Sequence, residues 1–404
     1  MFIDRDKIIS VYLSCALLFG LVLIFNHGQN LETVFLKPLD DSYSILGSRS
    51  VFKDLTSGNR VYAFLPYWNL GHDVLNVDTI TDLSYFGLNV DAKGRIVTND
   101  VPYKKWREDK RLAETTTKVK KNGGRVSLTL VCHVEEDIDA VLFCTDCWSD
   151  LAKDLERELV WAGIKDVNVD FEYPFYTTPE NAQKYSQLVG FLNNYLDTTF
   201  GDSFVVVSAY ADSADRAVRD EVRLTDLKSL AANVDAIFIM AYDFHRPESA
   251  NAGPVSPLEG SYKSSRLNLT TAVESYLKVV SANKLILGLP FYGYNWIVED
   301  LSPMSARIEG NDTIGFSKSI SYAEVTDLLI KKQLKPSWDD LAKTPYVNYI
   351  DAETGSNRQV WYDNAESLKY KVALAQKNHF LGVGVWAVGY EGGYANLWNV
   401  FKPF

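Results

Sequence analysis

In Val167-Asn168-Val169-Asp170-Phe171-Glu172, apolar and polar side chains alternate without a break. On a strand, side chains point to opposite faces with period two, so Val167, Val169 and Phe171 share one face and Asn168, Asp170 and Glu172 the other. Two carboxylates on one buried face are costly without partners. Their mutual repulsion also favours a state in which one of them keeps its proton near neutrality. A retained carboxyl proton is what a general acid acting on a glycosidic oxygen requires. Glu172, nearest the C-terminal end of the run, is the candidate acid, and Asp170, one layer deeper, its candidate orienter. The plainer alternative is a strand whose polar face is solvated, as in an antiparallel sheet with one face in water.

Which alternative holds depends on the surrounding elements. Short β-branched and aromatic runs recur at Val61–Tyr67, Leu83–Val90, Val126–Val131, Val167–Glu172, Phe204–Tyr210, Ala236–Tyr242, Leu285–Phe291 and Val383–Val388. Between them lie segments of helical spacing, including Ser149–Trp161, Pro179–Leu196 and Thr270–Val280, and Ser321-x-x-Glu324 opens Tyr322–Lys332 as a capping box. This α/β alternation predicts a (β/α)8 TIM barrel, with its active site at the C-terminal ends of the strands. Neither face of an inner barrel strand meets bulk water, which disfavours the solvated reading of the fourth strand. Phe291 to Val383 is too long for a loop and predicts a small α+β insertion between strands 7 and 8, from Val298 to Asn364. A doubly wound open sheet is the competing fold. No GxGxxG or GxxxxGK[ST] follows any strand, so its nucleotide-binding forms are disfavoured.

The run Gly163-Ile-Lys-Asp-Val-Asn-Val-Asp-Phe-Glu-Tyr-Pro174 resembles the strand-four signature of glycoside hydrolase family 18, the chitinase family, whose pattern is DxxDxDxE followed by Tyr-Pro. Val61-Tyr-Ala-Phe-Leu-Pro-Tyr-Trp68 resembles the first strand of that family, and Met240-Ala-Tyr-Asp-Phe244 its sixth. Leu287-Gly-Leu-Pro-Phe-Tyr-Gly-Tyr-Asn-Trp296 resembles the seventh, and Gly384-Val-Trp-Ala-Val-Gly-Tyr390 the eighth. Gln359 to Lys371 is most similar to the branch of bacterial cell-wall and spore-cortex N-acetylglucosaminidases.

The resemblance implies a retaining, substrate-assisted hydrolase in which the substrate's own 2-acetamido carbonyl attacks the anomeric carbon, with no metal and no cofactor. Glu172 would protonate the leaving oxygen and then activate water, Asp170 would hold the acetamido N–H, and Tyr242 would bond the acetamido oxygen. Asp243 would sit beside Tyr242, and Trp386 would floor the sugar on the non-reducing side of the scissile bond. Asn168, Met240, Tyr67, Trp68, Tyr292 and Trp296 complete the expected substrate contacts. The expected partner is an N-acetylglucosamine polysaccharide, chitin or peptidoglycan, bound by a monomer. The alternative is a chitinase-like lectin, which would keep the barrel without activity, although the intact Glu172 argues for the enzyme. Two positions depart from the pattern: Lys165 and Asn168 stand where the family has its first two Asp. Lys165 opens the strand, remote from the site. Asn168 cannot share a proton with Asp170, which bears on the pH optimum more than on the mechanism.

Among 404 residues, 52 acidic and 41 basic side chains give a formal charge of -11, which argues against nucleic acid as the partner. Aromatic residues make up 13%, an excess that fits both a large core and a groove for sugar rings. Ile8–Phe25 is uncharged and about the minimum for crossing a bilayer as a helix, with Arg5 and Lys7 before it. The expected organisation is an N-terminal transmembrane signal anchor (1–28), a polar stalk (29–58) and an extracytoplasmic barrel (59–404), a cleaved signal peptide being the alternative. Cys132, Cys144 and Cys147 are compatible with one disulfide and one spare thiol. A zinc cluster with His133 is disfavoured, since no second CxxC or HxxxH follows.

Overall fold

The computed structural model describes residues 60–71, 77–173, 177–214, 222–260 and 267–402. Eight strands form a closed barrel: β1 (Arg60–Pro66), β2 (Asp82–Asn89), β3 (Arg125–Cys132), β4 (Asp166–Phe171), β5 (Val205–Tyr210), β6 (Ala236–Met240), β7 (Leu285–Pro290) and β13 (Gly382–Trp386). Neighbouring strands all pair in parallel, and β13 closes the ring between β7 and β1. Helices α1 (Val101–Glu108), α2 (Lys110–Lys121), α3 (Glu135–Phe143), α4 (Thr145–Ala162), α5 (Pro179–Phe200), α6 (Leu227–Asn233) and α7 (Leu269–Leu277) fall between the barrel strands. The predicted fold is therefore the observed one, and strand ends shift by only a residue or two.

Both faces of the barrel strands are buried. Val167, Val169 and Phe171 join the helix-facing core with Leu128, Leu130, Val205 and Val207. Tyr62, Phe64, Val206, Phe238 and Ile286 fill the interior. The Phe238 ring lies so close to β7 and β13 that a Cβ at Gly288 or Gly384 would approach it to 2.3 or 2.2 Å, which explains glycine at both positions. At the N-terminal end of the barrel, Arg125 holds Asp166 through two hydrogen bonds of 2.7 and 2.5 Å, and Arg60 bonds Asp82 at 2.6 Å. Lys165 pairs with Asp202 beside them, away from the site as expected.

The insertion between β7 and β13 is an antiparallel sheet of β8 (Tyr292–Ile297), β9 (Lys318–Ser321), β10 (Ser337–Asp339), β11 (Thr344–Ile350) and β12 (Asn357–Tyr362), ordered β10-β11-β12-β8-β9. It opens at Tyr292, ahead of the expected Val298, because the chain leaves the barrel at Phe291 and runs straight into β8. Helix α8 (Tyr322–Lys332) follows β9, and its predicted capping box is present: Glu324 N–H donates to Ser321 Oγ at 3.3 Å, and Ser321 N–H to Glu324 Oε2 at 2.7 Å.

Cys144 and Cys147 form a disulfide at the start of α4, leaving Cys132 as a free, buried thiol. The bridge removes two of the thiols that a zinc cluster would need. The expected anchor at Ile8–Phe25 and the stalk lie outside the described residues, and among the described residues no helix is long and apolar enough to cross a membrane.

After the insertion, α9 (Ala365–Lys377) returns the chain to β13. Lys371 on this helix is fully buried and donates to Asp363 Oδ1, which also accepts from Ser367 Oγ at 2.6 Å. Removing one member of a buried ion pair strands the other charge. Lys371→Met is therefore expected to destabilise the fold by about 3–5 kcal/mol in urea unfolding. Restoration of most of that loss in the Lys371→Met/Asp363→Leu double variant would show that the stranded carboxylate is the cause.

Candidate active site

The alternation read from β4 places its polar face inward. Asn168 and Asp170 point into the barrel, and Glu172 follows one residue past the strand end, at the mouth. Above them lies a cavity of about 170 Å³ lined by Asp170, Glu172, Met240, Tyr242, Asp243 and Trp386, with Phe64, Ser208, Tyr210, Arg246 and Tyr292 completing its wall. It sits at the C-terminal ends of the strands, where barrel active sites form.

Glu172 Oε2 accepts a hydrogen bond of 2.7 Å from the Tyr210 hydroxyl, and its Oε1 lies 3.3 Å from His133 Nε2. Burial first, then the neighbouring Asp170 charge, raises the pKa of Glu172 above the ordinary carboxylate value, against the opposing pull of His133, the Tyr210 hydrogen bond and Arg246. Asp170 is 3% exposed, and its Oδ1 has no hydrogen-bond partner. His133 Nε2 stands 3.7 Å from Asp170 Oδ2. The coordinating atoms of His133, Asp170 and Glu172 all lie within 4.8 Å of one another, the one arrangement among the described residues with the donor set and spacing to hold a metal ion.

Asp243 adopts a left-handed backbone conformation with φ of 62°, uncommon for a residue with a side chain but tolerated by Asp. Two phenols of β8 hold it there: the hydroxyls of Tyr292 and Tyr294 both donate to its Oδ1, the latter at 2.6 Å. The inserted sheet thus supplies one wall of the cavity. Burial first, then the charges of Asp170, Asp243 and Glu172, drive the pKa of Tyr242 well above that of a free phenol, so it remains a neutral O–H donor. Trp386 packs against Phe64 and Phe86 with ring centroids 5.6 and 4.7 Å apart, a brace that fixes its indole plane.

Four expected contacts lie elsewhere. Trp296 is fully buried and donates its indole N–H to the Arg246 carbonyl at 3.1 Å, because on β8 it falls within the apolar cluster beneath the inserted sheet. Tyr67 packs against the helix-facing core. Asn168 is buried below the cavity and accepts from Ser208 Oγ at 3.2 Å, while its own Nδ2 has no partner. Trp68 is 45% exposed beside the cavity, 6.2 Å from the Trp386 ring, and bonds the Tyr390 hydroxyl at 3.3 Å, so it extends the aromatic floor without lining the cavity itself. His133, Tyr210 and Arg246 were missed as site residues. His133 and Tyr210 stand at the ends of the third and fifth predicted strands, a position that marks them as candidates. Arg246 lies in a loop that carries no sequence signal.

A closed parallel barrel with a glutamate of raised pKa over a buried aspartate, edged by aromatic rings, is the arrangement of a barrel glycoside hydrolase. The chain belongs to glycosyl hydrolases family 18, whose family model matches residues 70–391. It is 28% identical over 290 residues to a probable di-N-acetylchitobiase 1 of Dictyostelium discoideum, covering 67% of this chain and 72% of that one. It is 27% identical to the uncharacterized glycosylase YvbX of Bacillus subtilis, covering 58% and 60% of the two chains. The fold matches the Group IV chitinase of Ostrinia furnacalis (TM-score 0.71, 20% identity, 85% of this chain and 98% of that one). It also matches the Bacillus megaterium spore cortex-lytic enzyme SleL (TM-score 0.68, 16% identity, 85% and 73%).

Because the folded-state pKa of Glu172 is raised, its contribution to stability is fully present below the unfolded value and is lost as pH rises through the folded one. Glu172→Gln, which cannot ionise, is therefore expected to melt above the parent protein at pH 8, with the gap closing as pH falls toward 4. Calorimetry across that range measures this directly, and a gap independent of pH would show that Glu172 does not titrate as described.

Proposed function

We propose that the protein hydrolyses β-1,4 bonds that follow N-acetylglucosamine in chitin or peptidoglycan, by substrate-assisted catalysis with retention. The observation that carries this reading is Glu172 at the mouth of the barrel above the buried Asp170, its pKa raised first by burial and then by the Asp170 charge. As a carboxylic acid it donates to the glycosidic oxygen, and as the resulting carboxylate it accepts a proton from the incoming water. Asp170, with Oδ1 unpartnered, is the acceptor available for an acetamido N–H beside the developing positive charge. Tyr242 is the neutral donor for the acetamido oxygen, whose attack on the anomeric carbon takes the place of a protein nucleophile. Trp386 offers the flat apolar face on which a pyranose ring stacks.

Relatives support a substrate containing N-acetylglucosamine: one bears the name di-N-acetylchitobiase, another cortical fragment-lytic enzyme. The apolar run Ile8–Phe25 and the Cys144–Cys147 disulfide support a membrane-anchored enzyme working in an oxidising, extracytoplasmic compartment.

Glu172→Gln is expected to lower kcat by about 10²–10⁴-fold on whichever substrate the parent protein cleaves, chitin oligosaccharides or purified peptidoglycan. Absence of parent activity on both, with sugar binding retained, would leave a lectin and overturn the hydrolase reading. Trp386→Ala is expected to raise KM about tenfold or more, the loss of one stacking face, with the anomeric outcome in NMR-followed hydrolysis unchanged. Since Glu172 acts first as an acid, kcat/KM is expected to fall as pH rises through its raised pKa.

A further inference from the structure

We propose that His133 is a positioning residue for the acid pair, its imidazolium supplying the charge balance that Asn168 cannot give. The proposal rests on the roles assigned above to Glu172 and Asp170. His133 directly follows β3, the neighbour of β4 in the barrel, so its side chain reaches across to the polar face of β4. Its Nε2 stands between the two carboxylates, 3.3 Å from Glu172 Oε1 and 3.7 Å from Asp170 Oδ2. Below Asp170, Asn168 offers only an amide, and its Nδ2 reaches no partner. An amide can donate a hydrogen bond, but it cannot cancel a charge or share a proton.

The neighbours of His133 leave this role to it. From β2 it meets the uncharged Phe86 ring, with centroids 6.4 Å apart. From β4 it meets Asp170 and Glu172. Across the cavity, Tyr210 on β5 bonds the far oxygen of Glu172, while Tyr242 and Arg246 face the same cavity from beyond β6. On its own strand the Cys132 thiol is pushed up to about 11 by burial and so stays neutral. Partial desolvation of the ring, whose side chain is still 44% exposed, pulls its pKa down, but the hydrogen bond and charge of Asp170, then the charge of Glu172, outweigh that and raise it.

The proton balance assigns each group a part. In the proposed cycle Glu172 starts as the acid and His133 as the cation beside it, with Asp170 Oδ2 3.7 Å from the ring nitrogen. When Glu172 gives its proton to the leaving oxygen, a negative charge appears beside Asp170, and the imidazolium is already in place to offset it. When Glu172 takes a proton from water the first state returns, and His133 has neither gained nor lost one.

Removing the cation makes Glu172 hold its proton more tightly, so the basic limb of the kcat/KM profile on N-acetylglucosamine tetramer moves up. For His133→Asn the expected result is a rise of about one pH unit together with a fall in kcat of tenfold or more, with KM little changed. His133→Lys, which keeps a cation, is expected to return the limb toward the parent position. If His133→Asn and His133→Lys lose activity alike with the limb unmoved, His133 only fills space and the proposal is overturned. A second readout needs no substrate: the proton NMR titration of His133 in the full-length protein, its resonance assigned by absence from either His133 variant. Its midpoint is expected to drop by about one unit in Asp170→Asn and to move little in Glu172→Gln, which exchanges a protonated carboxyl for a neutral amide, and an unchanged midpoint in Asp170→Asn overturns the proposal. A shifted midpoint in a protein that cleaves neither chitin nor peptidoglycan would instead keep the charge triad and reject the hydrolase reading.

Discussion

A carboxylate taken out of water must find a cation, hydrogen-bond donors or a proton, and this barrel uses all three answers in different places. At its N-terminal end Asp166 is clasped by the two-pronged guanidinium of Arg125, and under the insertion Asp363 is held by the fully buried Lys371. Asp243 accepts from two phenols on one oxygen and has the Arg246 guanidinium 3.8 Å from the other. Glu172 and Asp170 have less: a hydroxyl, a histidine at the edge of contact and an oxygen with no partner. Asp166 and Asp363 each have a full cation against them, although Asp363 Oδ2 is without a hydrogen bond, whereas at the mouth burial and the Asp170 charge raise the pKa of Glu172.

The shape of the mouth has a different origin. The inner face of the barrel is filled by rings, with Phe238 meeting Phe64 at 4.9 Å and Trp386 resting on Phe64 and Phe86. These contacts set a floor beside which Asp170 and Ser208 are the buried polar groups lining the cavity. One side wall comes from β8, which leaves the barrel at Phe291 and carries Tyr292 and Tyr294 back against Asp243. The insertion is thus part of the site and not an appendage to it.

The most legible feature in the sequence was parity. Alternation in Val167–Glu172 assigned every side chain of that run to the correct face, because in a closed barrel a strand has no third option. The expectation at Trp296 rested on resemblance and not on parity. Motif similarity attached Tyr292 to Trp296 to the end of the seventh strand, but the chain has already turned into a new sheet there, and its parity is counted against a different core. His133, Tyr210 and Arg246 were harder to find for a geometric reason. They reach Glu172 from three other segments of the chain, and the closure that brings those segments together is not written in any local run.

Closure has one more consequence. Trp386, the floor of the site, ends β13, and β13 is both the last strand in the chain and the one that joins β7 to β1. A growing chain therefore makes Asp170 and Glu172 long before it makes Trp386. Until β13 is in place, β7 and β1 lack the partner that closes the ring between them. A chain cut short before Gly382 would lack both the strand that closes the ring and Trp386, and with them one wall of the cavity.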